Sequence, residues 1–345
     1  MRRLIVFCVL CFVAAGVSLA QDDDFREIGP VTEAVLERGA LNCGVNGEVV
    51  GFSLQTEDGE YVGFDVDICR SVAAAILGDA DAVNYIPLLA GDRAAAIIEG
   101  RIDLLSRNTT WTLGRDTQWR ATFGPTIFYD GQGLMAFEDD DYLFLEDFEG
   151  KTICTNSGTT TENNISDEMD AIDVEFTLVT FESFDEVMEA FNNRECDAVT
   201  SDVSQLLSHR FRQDDPEQYM ILPQVISKEP LGPVMSESDP QFADIVTWVV
   251  FGLIQAEEYG ISSENIEEIL SDPDMDVDIM RFLGQTEDSQ VGQFLGLEND
   301  FMVDVISQVG NYGEIFDRNL AQLGLQRGYN NLWLVGGLLY SPPWR

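Results

Sequence analysis

Lysine is nearly absent from this chain. Lys151 and Lys228 are the only two in 345 residues, and the whole basic complement is 19 against 62 acidic residues, a net charge of −43. No basic stripe exists to neutralise phosphates, which excludes nucleic acid as a partner. Histidine occurs once, at His209, and no Cys-x-x-Cys occurs beyond the first twenty residues. The usual zinc ligand sets therefore cannot be assembled, and no Ser-His-Asp or Cys-His set is possible around the single imidazole. No cofactor is expected. Long apolar runs are missing after the first twenty residues, and "IVTWVVFGLI" (245–254) reads as a buried helix, too short to span a bilayer. The acidic run "DPDMDVD" (272–278) opens like a calcium loop. It has Val277 where the sharp turn needs glycine and Leu283 where the bidentate glutamate belongs, so it reads as an acidic loop.

What is present begins with an export signal. "MRRLIVFCVLCFVAAGVSLA" (1–20) has two arginines, an apolar stretch, and the small residues Ser18 and Ala20 before "QDDD". That pattern is a secretory signal peptide, which places the mature chain outside the cytoplasm. So large an excess of acid fits a solvated surface and fits better an adaptation to high salt, where screening within a few ångströms removes the self-repulsion. Four cysteines remain beyond the signal: Cys43, Cys69, Cys154 and Cys196. An even number in an exported protein points to disulfides, with three possible pairings. Cys43–Cys69 and Cys154–Cys196 follow if each pair lies in its own lobe.

Two lobes are expected, because the residues beyond position 20 exceed what one core ordinarily holds. From Leu41 the pattern alternates: strand "LNCGVN" (41–46), helix "FDVDICRSVAAAIL" (64–77), strand "AVNYIPL" (82–88), helix "RAAAIIEG" (93–100), strand "IDLLS" (102–106). A second alternation starts at "KTICT" (151–155) and continues through helix 160–169, strand 174–181, helix 184–193 and strand "CDAVTS" (196–201). Units of this length mean parallel sheets. The segments 95–108 and 187–202 echo each other, each a helix, a polar break with an arginine, an aspartate, then an apolar strand ending in small polar residues. Two similar α/β lobes would place those strand ends, "SRNTT" and "TSDV", on facing walls of a cleft. The chain is expected to leave the first lobe through 133–142 and return through 221–235, giving lobe 1 as 30–136 plus 233–345 with a helical C-terminal extension, and lobe 2 as 137–232.

Three features converge on one ligand chemistry. Arg115 follows "NTTWTLG", and a guanidinium holds a carboxylate in a bidentate fork. "SGTTTENN" (157–164) opens a helix in which Thr159 and Glu162 form a capping box, and helix N-termini attract carboxylates. Asp202 ends a strand and suits an ammonium, although it would equally serve as N-cap of the helix 203–211. Arginine plus helix N-terminus for a carboxylate, and aspartate for an ammonium, describe an α-amino acid. Asn108 and Thr110 would satisfy the remaining hydrogen bonds of a buried zwitterion.

The stretches "LNCGVN", "GFSLQTEDGEYVGFDVDICR", "LLSRNTTWTLGRDT", "YDGQGLMAF", "SGTTTE", "KEPLGPVM", "GNYGEIFDRNL" and "NLWLVGGLLYSPPWR" carry a resemblance. Across nearly all of its mature length the chain resembles the periplasmic solute-binding proteins of polar amino-acid ABC importers, in their general L-amino-acid branch. The resemblance implies a two-lobed type II periplasmic-binding fold. It implies a monomer that closes on an L-amino acid, including glutamate, glutamine, aspartate and asparagine, and delivers it to ABC permease subunits in the inner membrane. It assigns the α-carboxylate to Arg115, the α-ammonium to Asp202, the first-lobe wall to Asn108 and Thr110, and the second-lobe helix start to Thr160. The ring that smaller relatives stack over the ligand has no clear equivalent here, and Phe52 is the candidate. The same fold also carries periplasmic dehydratases, so an enzyme is the alternative.

Overall fold

The computed structural model describes residues 26–286 and 289–345; the signal segment 1–20 lies outside them. Two five-stranded sheets carry the architecture. In the first, Leu41–Val45 pairs in parallel with Val83–Pro87 and with Leu104–Leu105. Val234–Ser236 then joins antiparallel and is flanked by Ala121–Phe123. In the second, Thr152–Asn156 lies between Thr177–Phe181 and Ala198–Asp202, all parallel. Gln132–Phe137 and Tyr219–Ile221 close its other side antiparallel. Both sheets thus have the same spatial order, with the second strand at the edge, then the first, the third, an antiparallel strand arriving from the other crossing, and a last edge strand.

Each parallel strand follows an amphipathic helix that covers one sheet face. In the second lobe, Phe184–Asn192 starts with a complete capping box, Ser183 Oγ accepting from Glu186 N while Glu186 accepts from Ser183 N. It buries Phe184, Val187, Met188 and Phe191 against Cys154 and Val199. In the first lobe, Phe64–Leu77 starts after Gly63, whose φ of 135° is barred to other residues. A Cβ there would come within 2.2 Å of Phe52 O. The C-terminal helices Pro240–Tyr259, Phe301–Val309 and Tyr312–Leu320 pack around Phe64–Leu77 and share its apolar core. The apolar segment 245–254 is inside the first of these, with Ile245, Val246, Val249, Val250 and Leu253 fully buried. Among the described residues no helix is long and apolar enough to cross a membrane.

The echo between 95–108 and 187–202 is structural, with one adjustment of register. Asp103 accepts from Asn42 N at 2.7 Å through its carboxylate, and Asp197 accepts from Thr152 N at 2.8 Å, each tying the third strand to the first. The preceding helices end on Gly100 and Arg194, with φ of 65° and 60°. Arg194 therefore corresponds to Gly100 and not to Arg101.

The lobe boundary also differs from the sequence expectation. Residues 133–136, expected in lobe 1, belong to the second sheet, so the chain crosses between Asp130 and Gln132. The crossing strands Phe128–Asp130 and Glu229–Leu231 pair antiparallel and form the hinge. An apolar strand carries no mark of which sheet it will join, which is why "GLMAF" misled. The return at 232–233 stands where expected. Near the C-terminus, Asn330 grips the hinge strand, accepting from Tyr129 N at 2.7 Å and donating to Tyr129 O at 3.1 Å.

Cys43 is bonded to Cys69, strand to helix, and Cys154 to Cys196 across the second sheet, with Cα separations of 6.3 and 5.9 Å. They close loops of 26 and 42 residues. In a chain-entropy view each contributes about 3–4 kcal/mol. Replacing either pair by alanine is expected to lower the denaturation midpoint of the purified protein without changing its far-UV circular dichroism.

Candidate functional site

The cleft between the lobes is closed in this structure. Asn108 Nδ2 donates to Gln205 Oε1 at 3.2 Å, Arg93 donates to Gly158 O at 3.2 Å, and Arg212 donates to Glu48 O at 3.0 Å. Inside it a cavity is lined by Arg107, Asn108, Thr110 and Arg115 from the first lobe. Thr159, Thr160, Ser201, Asp202 and Gln205 line it from the second.

The stretch "SRNTTWTLGR" builds the first wall by local hydrogen bonding. Asn108 has φ of 30°, a strained value for a residue with a side chain. It is held there by Asp65, whose carboxylate accepts from Asn108 N at 3.0 Å and Ser106 Oγ at 3.2 Å. Burial pushes the Asp65 carboxyl up to about 7, partly opposed by those bonds and by Arg107. Beyond Asn108 the chain runs along the hinge, with Trp111 N donating to Pro230 O at 2.8 Å. Trp111 stacks on Phe123 at 5.7 Å. Thr112 then caps the short helix Leu113–Gln118, its hydroxyl accepting from Arg115 N at 3.1 Å. Arg115 is 9% exposed, lies over the Trp119 ring, and spends one N–H on Thr110 O at 3.0 Å. The rest of its guanidinium faces the cavity, and no carboxylate among the described residues lies inside ion-pair distance of it.

The second wall presents the N-terminus of Thr160–Ala171. The expected capping box is not formed. The Thr159 hydroxyl donates to Asn156 O at 2.6 Å, and Glu162 accepts from Gly158 N at 3.0 Å. The first-turn amides are left without a side-chain cap. Opposite, Asp202 ends its strand 6% exposed, precedes Val203–Phe211, and caps nothing. Burial holds its carboxyl well above the usual carboxylate range. Asp130 and Glu229 push it further in the same direction, and Arg115 and Arg93 oppose them.

Arg115, Asp202, Asn108, Thr110, Thr159 and Thr160 therefore share one cavity. Phe52 does not join them. It is 1% exposed in the first-lobe core, with ring centroids 6.1 Å from Phe64 and 5.3 Å from Phe128. A ring with aromatic neighbours on two sides gains more from burial there than from a polar cleft. His209, 1% exposed, is pushed down to about 3, first by burial and then by Arg212, and stays neutral.

Sequence reasoning missed Glu229. This hinge residue is 1% exposed, and its carboxylate accepts from Thr110 at 2.5 Å and Thr160 at 2.9 Å. It also accepts from Asn164 at 2.8 Å and Ser227 at 2.6 Å. One carboxylate thus ties both lobes to the hinge and fixes which way two cleft hydroxyls donate. "KEPLG" was visible, but nothing local distinguishes this glutamate from 61 other acids. Arg93 was missed in the same way. It is 2% exposed, bonded to Ala90 O, Thr109 and Gly158 O, and lies over the Trp119 ring.

Two α/β lobes with matching strand order, joined by a two-stranded hinge around a polar cleft, are the type II periplasmic-binding fold. A solved Brucella ovis ABC-transporter periplasmic binding protein with glutathione bound superposes with a TM-score of 0.88 at 42% identity. The match covers 91% of this chain and 99% of that one. The general L-amino acid-binding periplasmic protein AapJ of Rhizobium johnstonii is 44% identical over 90% of this chain and 92% of its own. The glutamate/glutamine/aspartate/asparagine-binding protein BztA of Rhodobacter capsulatus is 41% identical over the same shares. The model of the bacterial extracellular solute-binding proteins, family 3, matches residues 41–160. The chain belongs to that family. Its relatives are solute-binding proteins of ABC transporters, and the dehydratase alternative falls with that.

Glu229→Ala would strand four donors, Thr110 buried and Thr160, Asn164 and Ser227 half-buried. A buried donor left unpaired costs about 1–3 kcal/mol and half-buried ones less, so a loss of roughly 3 kcal/mol in urea unfolding is expected.

Proposed function

We propose that this protein is exported to the periplasm by residues 1–20, binds L-amino acids between its lobes as a monomer, and delivers them to an ABC permease. The observation that carries this is the meeting of Arg115, the uncapped N-terminus of Thr160–Ala171 and Asp202 on one buried cavity. The Arg115 fork and the first-turn amides take the α-carboxylate. Asp202 takes the α-ammonium, with Asn108 and Thr110 completing its hydrogen bonds. The specificities of the Rhizobium and Rhodobacter relatives support a broad class that includes glutamate, glutamine, aspartate and asparagine.

Titration calorimetry of ligand-stripped protein in high salt, against the twenty L-amino acids and their α-decarboxylated amines, tests the reading. Several amino acids should bind and no amine should; silence across the panel would overturn it. Arg115→Ala should cost about 3–5 kcal/mol of affinity for every amino acid, because a buried carboxylate loses its partner. Protonation supplies a second check. The free Asp202 carboxyl titrates high, and an ammonium beside it favours the ionised form, so binding releases a proton. Affinity should therefore rise with pH between the bound and free titration points of Asp202. The observed enthalpy should change with the ionisation enthalpy of the buffer, and Asp202→Asn should remove that dependence.

A further inference from the structure

The cleft holds a second arginine without a partner. Arg107 is 7% exposed and donates Nε–H to Leu88 O at 2.8 Å. Its terminal nitrogens donate to nothing among the described residues, and no described carboxylate lies within 4.0 Å. Arg93, by comparison, commits all three nitrogens to protein acceptors. A buried guanidinium with its fork free is costly unless something else supplies the oxygens.

Its position says which part of a ligand that would be. Arg107 stands where the amino-acid cavity meets a wider chamber, and Asn46, Asn156 and Gln205 line both. Asp202 and Arg115 line the amino-acid cavity alone, whereas Arg107 lines both that cavity and the chamber beyond it. The first two account for the two charges on one α-carbon, and the third lies further out, on the side a side chain would take.

Resting on the amino-acid reading above, we infer that Arg107 is the specificity-determining residue of the site. It receives the oxygens at the distal end of the ligand's side chain and selects amino acids that end in a carboxylate or carboxamide. The amides of Asn46, Asn156 and Gln205 at the same throat serve the second oxygen or the NH2 group. Asp65, whose carboxyl is pushed up to about 7, compensates Arg107 only partly near neutrality, so an anionic group and a neutral amide both gain by docking there. An apolar side chain leaves the guanidinium unpaired. A site built around a hydrogen bond rejects analogues that lack it far more strongly than it resolves size.

The experiment measures Kd for L-glutamate, L-glutamine and L-alanine on the wild type, Arg107→Met and Arg107→Lys by titration calorimetry. The wild type should prefer glutamate and glutamine to alanine by on the order of 10- to 100-fold, the range of a hydrogen bond to a charged group. Arg107→Met should collapse both ratios to near unity, and Arg107→Lys should restore part of the glutamate preference. Equal losses for all three ligands, or ratios unchanged in Arg107→Met, overturn the inference and leave the amino-acid site standing. No binding of any amino acid by the wild type overturns the site reading itself. Should Arg107→Met fail to give a cooperative melt, Arg107→Lys decides alone. Lysine cannot fork two oxygens, so both ratios must fall, and unchanged ratios overturn the inference.

Discussion

The closed form of this protein depends on the carboxylate of Glu229. It sits in the strand that pairs with the outgoing crossing, at the register position of Asp130. It gathers hydroxyl and amide donors from both lobes at once. Two hinge strands of three residues could twist freely; with Glu229 in place their relative orientation is coupled to Thr110 on one wall and Thr160 on the other. Closure, ligand lining and hinge geometry therefore share hydrogen bonds, and a movement that opens the cleft must break bonds to a buried charge. A standard hinge closure becomes a defined two-state element by this means.

The charge distribution follows the same economy. Acid covers the surface, while the arginines that matter are few and buried, at positions 93, 107 and 115. Burial of three like charges close together lowers the proton affinity of each, and for Arg93 the other two add to the effect of burial. Trp119, with Arg93 and Arg115 over its ring, offsets some of that repulsion through its negative face. An anion entering this pocket crosses a repulsive exterior and finds a strongly attractive interior. The balance between the two is set by salt, which screens the exterior and hardly reaches the interior.

Much of this was legible in the sequence, for physical reasons that can be named. Periodicity placed the alternating strands and helices of both lobes, and the cysteine pairs followed once each was given its own lobe. That Arg115 and Asp202 would line one cleft was legible because Arg115 follows a polar strand end and Asp202 closes one. Glu229, Arg93 and Arg107 were not, because their roles come from contacts between segments far apart in the chain. Asn164 meets Glu229 from 65 positions away, and Gly158 meets Arg93 from the same distance. Phe52 was misplaced because an aromatic near a cleft and an aromatic under it look alike in one dimension. Thr159 and Glu162 had the spacing of a capping box, but Asn156 O offered the threonine hydroxyl a closer acceptor.

The grip of Asn330 on Tyr129 bears on the order in which the molecule is completed. The outgoing hinge strand lies in the first half of the sequence, yet one of its edges is held by Asn330, a residue 201 positions after Tyr129. Both sheets can be assembled from residues that precede position 240. A chain emerging N-terminus first would thus hold a formed second lobe, a first lobe still lacking the helices that complete its core, and a hinge with an open edge. Setting of the hinge waits on the segment that carries Asn330, which Trp344 anchors nearby against Phe282 and Trp248.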